Sequence, residues 1–144
     1  MRSGRSKTVY RMTEICPIRL ISISPMRHFF LLLKRERPLE VWSLKALQLI
    51  GATPGLFNIS SLKWRPNPIS PNAAKEQFMF AAADGSLHFY IIEQNDLKVS
   101  FVMPPQSKIE KKTITALAWR AHFLISGDMD GNVEIFDLKN KSST

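Results

Sequence analysis

Apolar and polar positions alternate in short runs along most of this chain, and the runs return on a long period. Residues 36–45, 84–93 and 130–139 align without gaps. Each segment places an aromatic at the same offset, and Trp42, Tyr90 and Phe136 are separated by 48 and then 46 residues. Within the segments the apolar positions follow the period of two of a strand, not the i, i+3, i+4, i+7 spacing of a helix. A second match lies upstream of each, at residues 20–25, 61–66 and 116–121, where Ile23, Trp64 and Trp119 take the equivalent place. Between the two matches sit apolar runs at 29–33, 78–83 and 123–127, which suit strands buried on both faces. Each unit therefore reads strand, strand, turn, strand. A fourth strand, at 47–50 and 97–103, completes the first two units, while the third is expected to stop before one forms.

A period of about 40 to 50 residues built from four short strands predicts propeller blades. The turns agree: Asp84-Gly85 and Asp130-Gly131 join strand-like runs, and Asp-Gly is a strong hairpin signal because glycine adopts a positive φ without strain. The first unit has Glu36-Arg37-Pro38 instead, and Pro38, with no N–H to donate, is expected at the start of its strand or facing solvent. The expected organisation is a poorly ordered basic segment at 1–16, blade 1 at 17–51, blade 2 at 59–103 with a proline-rich loop insertion at 67–74, and blade 3 at 113–144 lacking its outer strand. A lysine-bearing loop at 106–112 links the second blade to the third. The fold class is all-β: a partial β-propeller of about three four-stranded antiparallel blades, the last one incomplete.

These units resemble the WD-repeat family, whose blades commonly end the third strand in Trp-Asp and carry an aspartate at the preceding turn. Phe136-Asp137 matches that ending with Phe in place of Trp, Trp42-Ser43 keeps the tryptophan and loses the aspartate, and Tyr90-Ile91 keeps only an aromatic. The turn aspartate maps onto Asp84 and Asp130. The Gly-His pair between blades and the second-strand Ser or Thr are missing, with Ser126 the one candidate, so the family's buried hydrogen-bond relay is not expected intact. At finer grain, residues 35–45 and 127–139, with Pro104-Pro105 and residues 114–119, are similar to the second propeller of a large member of that family that carries two propellers and a helical C-terminal region. That resemblance covers most of 18–139. It implies an internal fragment of a scaffold for vesicle capture at the trans-Golgi network, with roles in cilium formation and Hedgehog signalling. It also implies a vesicle-tethering complex as partner, and location at the trans-Golgi network, cytoplasmic vesicles, the cilium base and the nucleus.

Composition narrows the classes. With 44% hydrophobic residues in 144, the chain has enough apolar content for a packed core. Its longest apolar run is far short of the roughly 18 to 20 residues of a membrane helix, so a soluble or peripheral protein is expected. No apolar core follows the basic first seven residues, so secretion is not indicated. Cys16 is the single cysteine, which excludes an internal disulfide or a cysteine zinc site and fits a reducing cytoplasm. Of the net charge of +8, the excess lies in residues 1–50, with 10 Lys/Arg against 3 Asp/Glu, whereas residues 51–144 hold 10 against 9. Arg2, Arg5, Lys7 and Arg11 read as a solvated end, and Lys34, Arg35 and Arg37 as the edge of a loop. The alternative is a nucleic-acid or anionic-membrane binding module using this basic third, which would neutralise phosphates.

Catalytic and metal-binding patterns are missing. His28, His88 and His122 lie far apart, and His88, on the opposite side of its strand from Leu87 and Phe89, is expected in a satisfied or exposed role rather than as a ligand. Asp128-Met129-Asp130-Gly131-Asn132 lacks the glutamate that a calcium loop needs at its twelfth position and reads better as a hairpin turn. No glycine-rich phosphate loop occurs, and Cys16 has no histidine nearby in sequence to act as its base. The expected function is a non-enzymatic protein-interaction scaffold without cofactor or metal, whose partners are other proteins; nucleic acid is not expected, and any membrane contact is peripheral. Propellers bind through turns and faces. The candidate partner-binding turn residues are Arg35, Glu36 and Arg37, followed by Asp84-Gly85 and Asp130-Gly131.

Overall fold

The computed structural model describes Arg11, Thr13 and residues 16–66, 75–105, 113–139 and 142–143. The basic residues of 1–10, the insertion at 67–74 and the linker at 106–112 lie outside the described residues. All regular structure among the described residues is β-strand. Blade 1 contains β1 (Ile18–Ile23), β2 (Phe29–Lys34), β3 (Glu40–Ser43) and β4 (Gln48–Ala52). Blade 2 follows with β5 (Ile59–Trp64), β6 (Lys75–Ala82), β7 (Leu87–Glu93) and β8 (Asp96–Met103). Blade 3 is made of β9 (Ile114–Arg120), β10 (Phe123–Asp128), β11 (Val133–Asp137) and β12 (Ser142–Ser143). Each blade is an antiparallel sheet whose strands pair in chain order. The third sheet is the incomplete one: where no outer strand was expected, a two-residue stub pairs Ser143 with Phe136 and Ser142 with Asp137.

The sheets pack face to face, and blade 2 shows how the pleat does this. Successive side chains point to opposite faces of a strand, so β6 sends Phe78, Phe80 and Ala82 into a cluster shared with blade 1, and Met79 and Ala81 into a second cluster shared with blade 3. On β7, Tyr90 and Ile92 join the first cluster, and Leu87 and Phe89 the second. Burying each such large side chain contributes about 1.5–3 kcal/mol. Polar links cross the same seams. Trp64 Nε1 donates to Ser22 Oγ at 3.0 Å, and the Met26 amide donates to Oε1 of the buried Glu76 at 2.9 Å.

β2 and β6 are buried on both faces, as their apolar runs predict. β10 is not: Leu124 is fully buried, whereas Phe123 and Ile125 are exposed. The run at 123–127 has the composition of a two-sided strand, but among the described residues no sheet covers its second face. Blade 1 is open on its opposite side, where Ile21, Ile23 and Leu49 are exposed and Phe30 stacks on Trp42 at 6.0 Å.

Candidate partner-binding surface

An antiparallel meander returns the chain to the same end of the sheet after every second strand. The β2–β3, β6–β7 and β10–β11 turns therefore emerge at one end, together with the β4–β5 and β8–β9 connections. Arg35, Glu36, Arg37, Asp84, Gly85, Asp130 and Gly131 are all brought to this end. Arg35, Glu36 and Arg37 are exposed, while neighbouring Lys34 reaches back to Glu40 at 2.8 Å.

The turns share a hydrogen-bond frame. The amides of Arg37, Gly85 and Gly131 donate to the carbonyls of Lys34, Ala82 and Asp128 at 3.4, 2.9 and 3.3 Å. In blades 2 and 3 a second bond closes a three-residue loop, Ala82 to Ser86 and Asp128 to Asn132. Gly85 and Gly131 occupy its last position at φ 89° and 87°, the geometry of a type I turn followed by a left-handed residue rather than a two-residue hairpin. With Arg37 in place of the glycine, blade 1 moves its left-handed residue one position earlier, to Glu36 at φ 57°. Asp84 Oδ1 accepts from the Ser86 amide and hydroxyl at 2.9 and 2.6 Å. In blade 3 the equivalent bonds are made by Asp128, which accepts from the amides of Asp130 and Asn132 at 2.9 and 3.0 Å. Alignment points to Asp130; the better clue to Asp128 is its place as the first residue of the turn, from which an aspartate side chain ordinarily reaches the backbone amide two residues on.

A short relay survives in blade 2. Because Ser86 Oγ donates to Asp84, it accepts from His88 Nε2 at 2.9 Å, which sets the neutral tautomer. The ring of His88 is stacked on Phe80 at 4.8 Å and tilted against Phe57 at 4.5 Å. Burial holds the His88 pKa below its ordinary 6.5, with the Asp84 charge opposing this weakly. The unfolded chain thus binds the proton more readily than the folded one, so this residue's contribution is intact above pH 6.5 and falls away as the pH drops below it. A denaturation midpoint that declines between about pH 7 and 5 in the native chain, and less steeply in His88→Gln, is the expected result; parallel profiles would remove His88 as the cause.

The repeat positions fall into two groups. Trp64, Tyr90 and Phe136 are 8%, 2% and 3% exposed and Trp119 is half-buried, each facing the preceding blade. Their counterparts in blade 1 face no sheet among the described residues: Ile23 is 57% exposed and Trp42 is half-buried. Cys16 is half-buried, and among the described residues no cluster of three or more His, Cys, Asp or Glu is placed to hold a metal ion.

Three four-strand units, aromatics at blade-equivalent positions and turn aspartates at one end define an incomplete β-propeller. No family model matches the chain. By sequence it is similar to WD repeat-containing protein 11: it is 25% identical to the Mus musculus protein over 92% of this chain and 15% of that protein. With the Homo sapiens protein the identity is again 25%, over 88% of this chain. The chain thus spans about 14–15% of the length of these relatives. Among solved structures, the β-propeller domain of Cps50 (Swd1) from Myceliophteria thermophila superposes with a TM-score of 0.64 over 88% of this chain and 42% of that one, at 12% identity, a likeness of fold alone.

Proposed function

We propose that this chain is part of a non-enzymatic protein-interaction scaffold and that its partner binds the end of the blades carrying the β2–β3, β6–β7 and β10–β11 turns. The observation behind this reading is the gathering of Arg35, Glu36, Arg37, Asp84, Gly85, Asp130 and Gly131 at one end, on hairpins anchored to rigid sheets. Loops held by a rigid frame keep their conformation on binding and so lose little entropy there. The likeness to WD repeat-containing protein 11 supports the finer proposal: a role in vesicle capture at the trans-Golgi network, with a vesicle-tethering complex as partner, in a cytoplasmic setting that extends to the cilium base and the nucleus.

The test is affinity capture with the full-length polypeptide that contains this chain, native or with Arg35, Glu36, Arg37, Asp84 and Asp130 replaced by alanine. At least one partner is expected to drop by about tenfold or more, the loss that one or two interface hot spots produce. Recovery of the same proteins in the same amounts would move the binding surface elsewhere. The rival, electrostatic binding of nucleic acid or anionic membrane, is weakened by the Lys34–Glu40 pair, which takes up one of its cations. It requires an affinity for duplex DNA, RNA or acidic liposomes that falls steeply with salt.

A further inference from the structure

Each seam between blades joins the forward face of one sheet to the backward face of the next, and the pleat fixes which residues meet there. Cross-strand pairing sets one row of backward-facing residues in each blade. The row is Ile23, Phe30 and Trp42 in blade 1 and Trp64, Phe78 and Tyr90 in blade 2. The adjoining row faces forward, with Leu31 paired to Val41, Met79 to Phe89 and Ile125 to Ile135. In the seam between blades 1 and 2, Leu31 and Val41 are fully buried in one cluster with Trp64, Phe78 and Tyr90.

Two rows of this series are uncovered among the described residues. Ile125 and Ile135 take the places of Leu31 and Val41, aliphatic for aliphatic, yet they are 40% and 43% exposed. On blade 1, Phe30 and Trp42 take the places of Phe78 and Tyr90, ring for ring, yet both are only half-buried. Their rings stack at 6.0 Å, Trp42 Nε1 donates to Glu40 Oε1 at 2.9 Å, and Glu40 pairs with Lys34 at 2.8 Å. The indole N–H and the carboxylate are thus satisfied within the sheet, so covering this face leaves neither without a partner.

We propose that the forward face of blade 3 receives the backward face of blade 1 of a second copy of this chain, so that copies join head to tail. The contact continues the series of seams inside the chain and repeats the first of them, with the aliphatic row of Ile125 and Ile135 against the ring row of Phe30 and Trp42. Each head-to-tail contact leaves one face open on either copy. A pair joined at both contacts carries six blades, within the four to eight with which propellers typically close. Three blades match 42% of the Swd1 domain, so two copies complete a turn when each seam opens slightly. Assembly therefore stops at two copies. The contact uses sheet faces and not the turn end, so it stands or falls separately from the scaffold's partner.

Light scattering over a concentration series tests this with two blocked variants of the chain. Ile23→Lys with Leu49→Lys blocks the head, and Ile125→Lys with Ile135→Glu blocks the tail; all four side chains are exposed, so the fold is little affected. The native chain is expected to be a dimer that grows no further, and each variant alone a monomer. An equimolar mixture of the two is expected to dimerise again, because the tail of one meets the head of the other. This mixed dimer has a single seam and is expected to bind roughly hundredfold or more weaker than the native pair, whose second seam closes within an already joined pair. Ile23→Ser and Ile125→Ser, read the same way, decide the case if a charged variant fails to fold. A blocked variant that still dimerises alone would show like faces pairing, and a mixture that stays monomeric would remove the contact. A monomeric native chain would leave the face to some other sheet, and growth past two copies would remove the closed pair. Each of these results overturns the proposal.

Discussion

Replacing Phe80 with alanine is expected to lower the unfolding free energy by about 3–5 kcal/mol, the range for removing a buried phenylalanine from a packed core. Phe80 is fully buried in the cluster between blades 1 and 2. Its ring lies 4.8 Å from His88 and 5.7 Å from Tyr90, nearly parallel to both, and 5.3 Å from Phe57. One truncation therefore opens a cavity and removes three aromatic contacts, each worth about 0.5–1.5 kcal/mol beyond the area it buries. Phe123→Ala is the internal control. That ring is 45% exposed on the uncovered face of blade 3, so its loss is expected to cost under about 1 kcal/mol. Urea denaturation of the two variants reads the difference, and equal losses would show that the seam between blades 1 and 2 is not the main source of stability.

The second large effect concerns assembly. On its own, the 144-residue chain is expected to self-associate through its two open sheet faces. One face carries Ile21, Ile23 and Leu49, and the other Phe123, Ile125, Val133 and Ile135, with Val133 reaching 68% exposure. These faces are complementary in kind. The first is the repeat equivalent of faces that meet a preceding blade, and the second of faces that meet a following one. Contiguous apolar surface of this sort drives association in soluble proteins. Ile125 and Ile135 are cross-strand partners, so the double variant Ile125→Lys, Ile135→Glu places opposite charges side by side on the sheet. The variant is expected to be monomeric by light scattering under conditions where the native chain is at least dimeric. A monomeric native chain would sink the expectation.

Much of this fold was legible from two periods. The two-residue alternation within residues 84–93 and 130–139 marks strands, and the return of Trp42, Tyr90 and Phe136 after 48 and 46 residues marks units of similar length; β3, β7 and β11 lie within the aligned segments. Less legible was the local chemistry. The carboxylate that holds the third turn is Asp128 rather than the aligned Asp130, because side-chain reach to a nearby amide depends on the turn's backbone path and not on alignment. The Asp84–Ser86–His88 relay was missed because its members stand two residues apart on one strand and its turn, whereas the family pattern takes them from separate elements. A cleft of about 410 Å³ between blades 2 and 3, lined by Arg65, Phe89, Phe101, Trp119 and Leu138 among others, left no sequence signal, since its walls come from strands that meet only when those blades pack together.

Sequence by itself determined the strands, their order within each sheet and the residue offered at each repeat position, because alternation and turn chemistry act over a few neighbours. Burial at those positions was decided only by tertiary structure. Ile23 and Trp64 are repeat equivalents, yet one is 57% exposed and the other 8%. The difference is whether another sheet lies against that face, and pleat and period do not encode it.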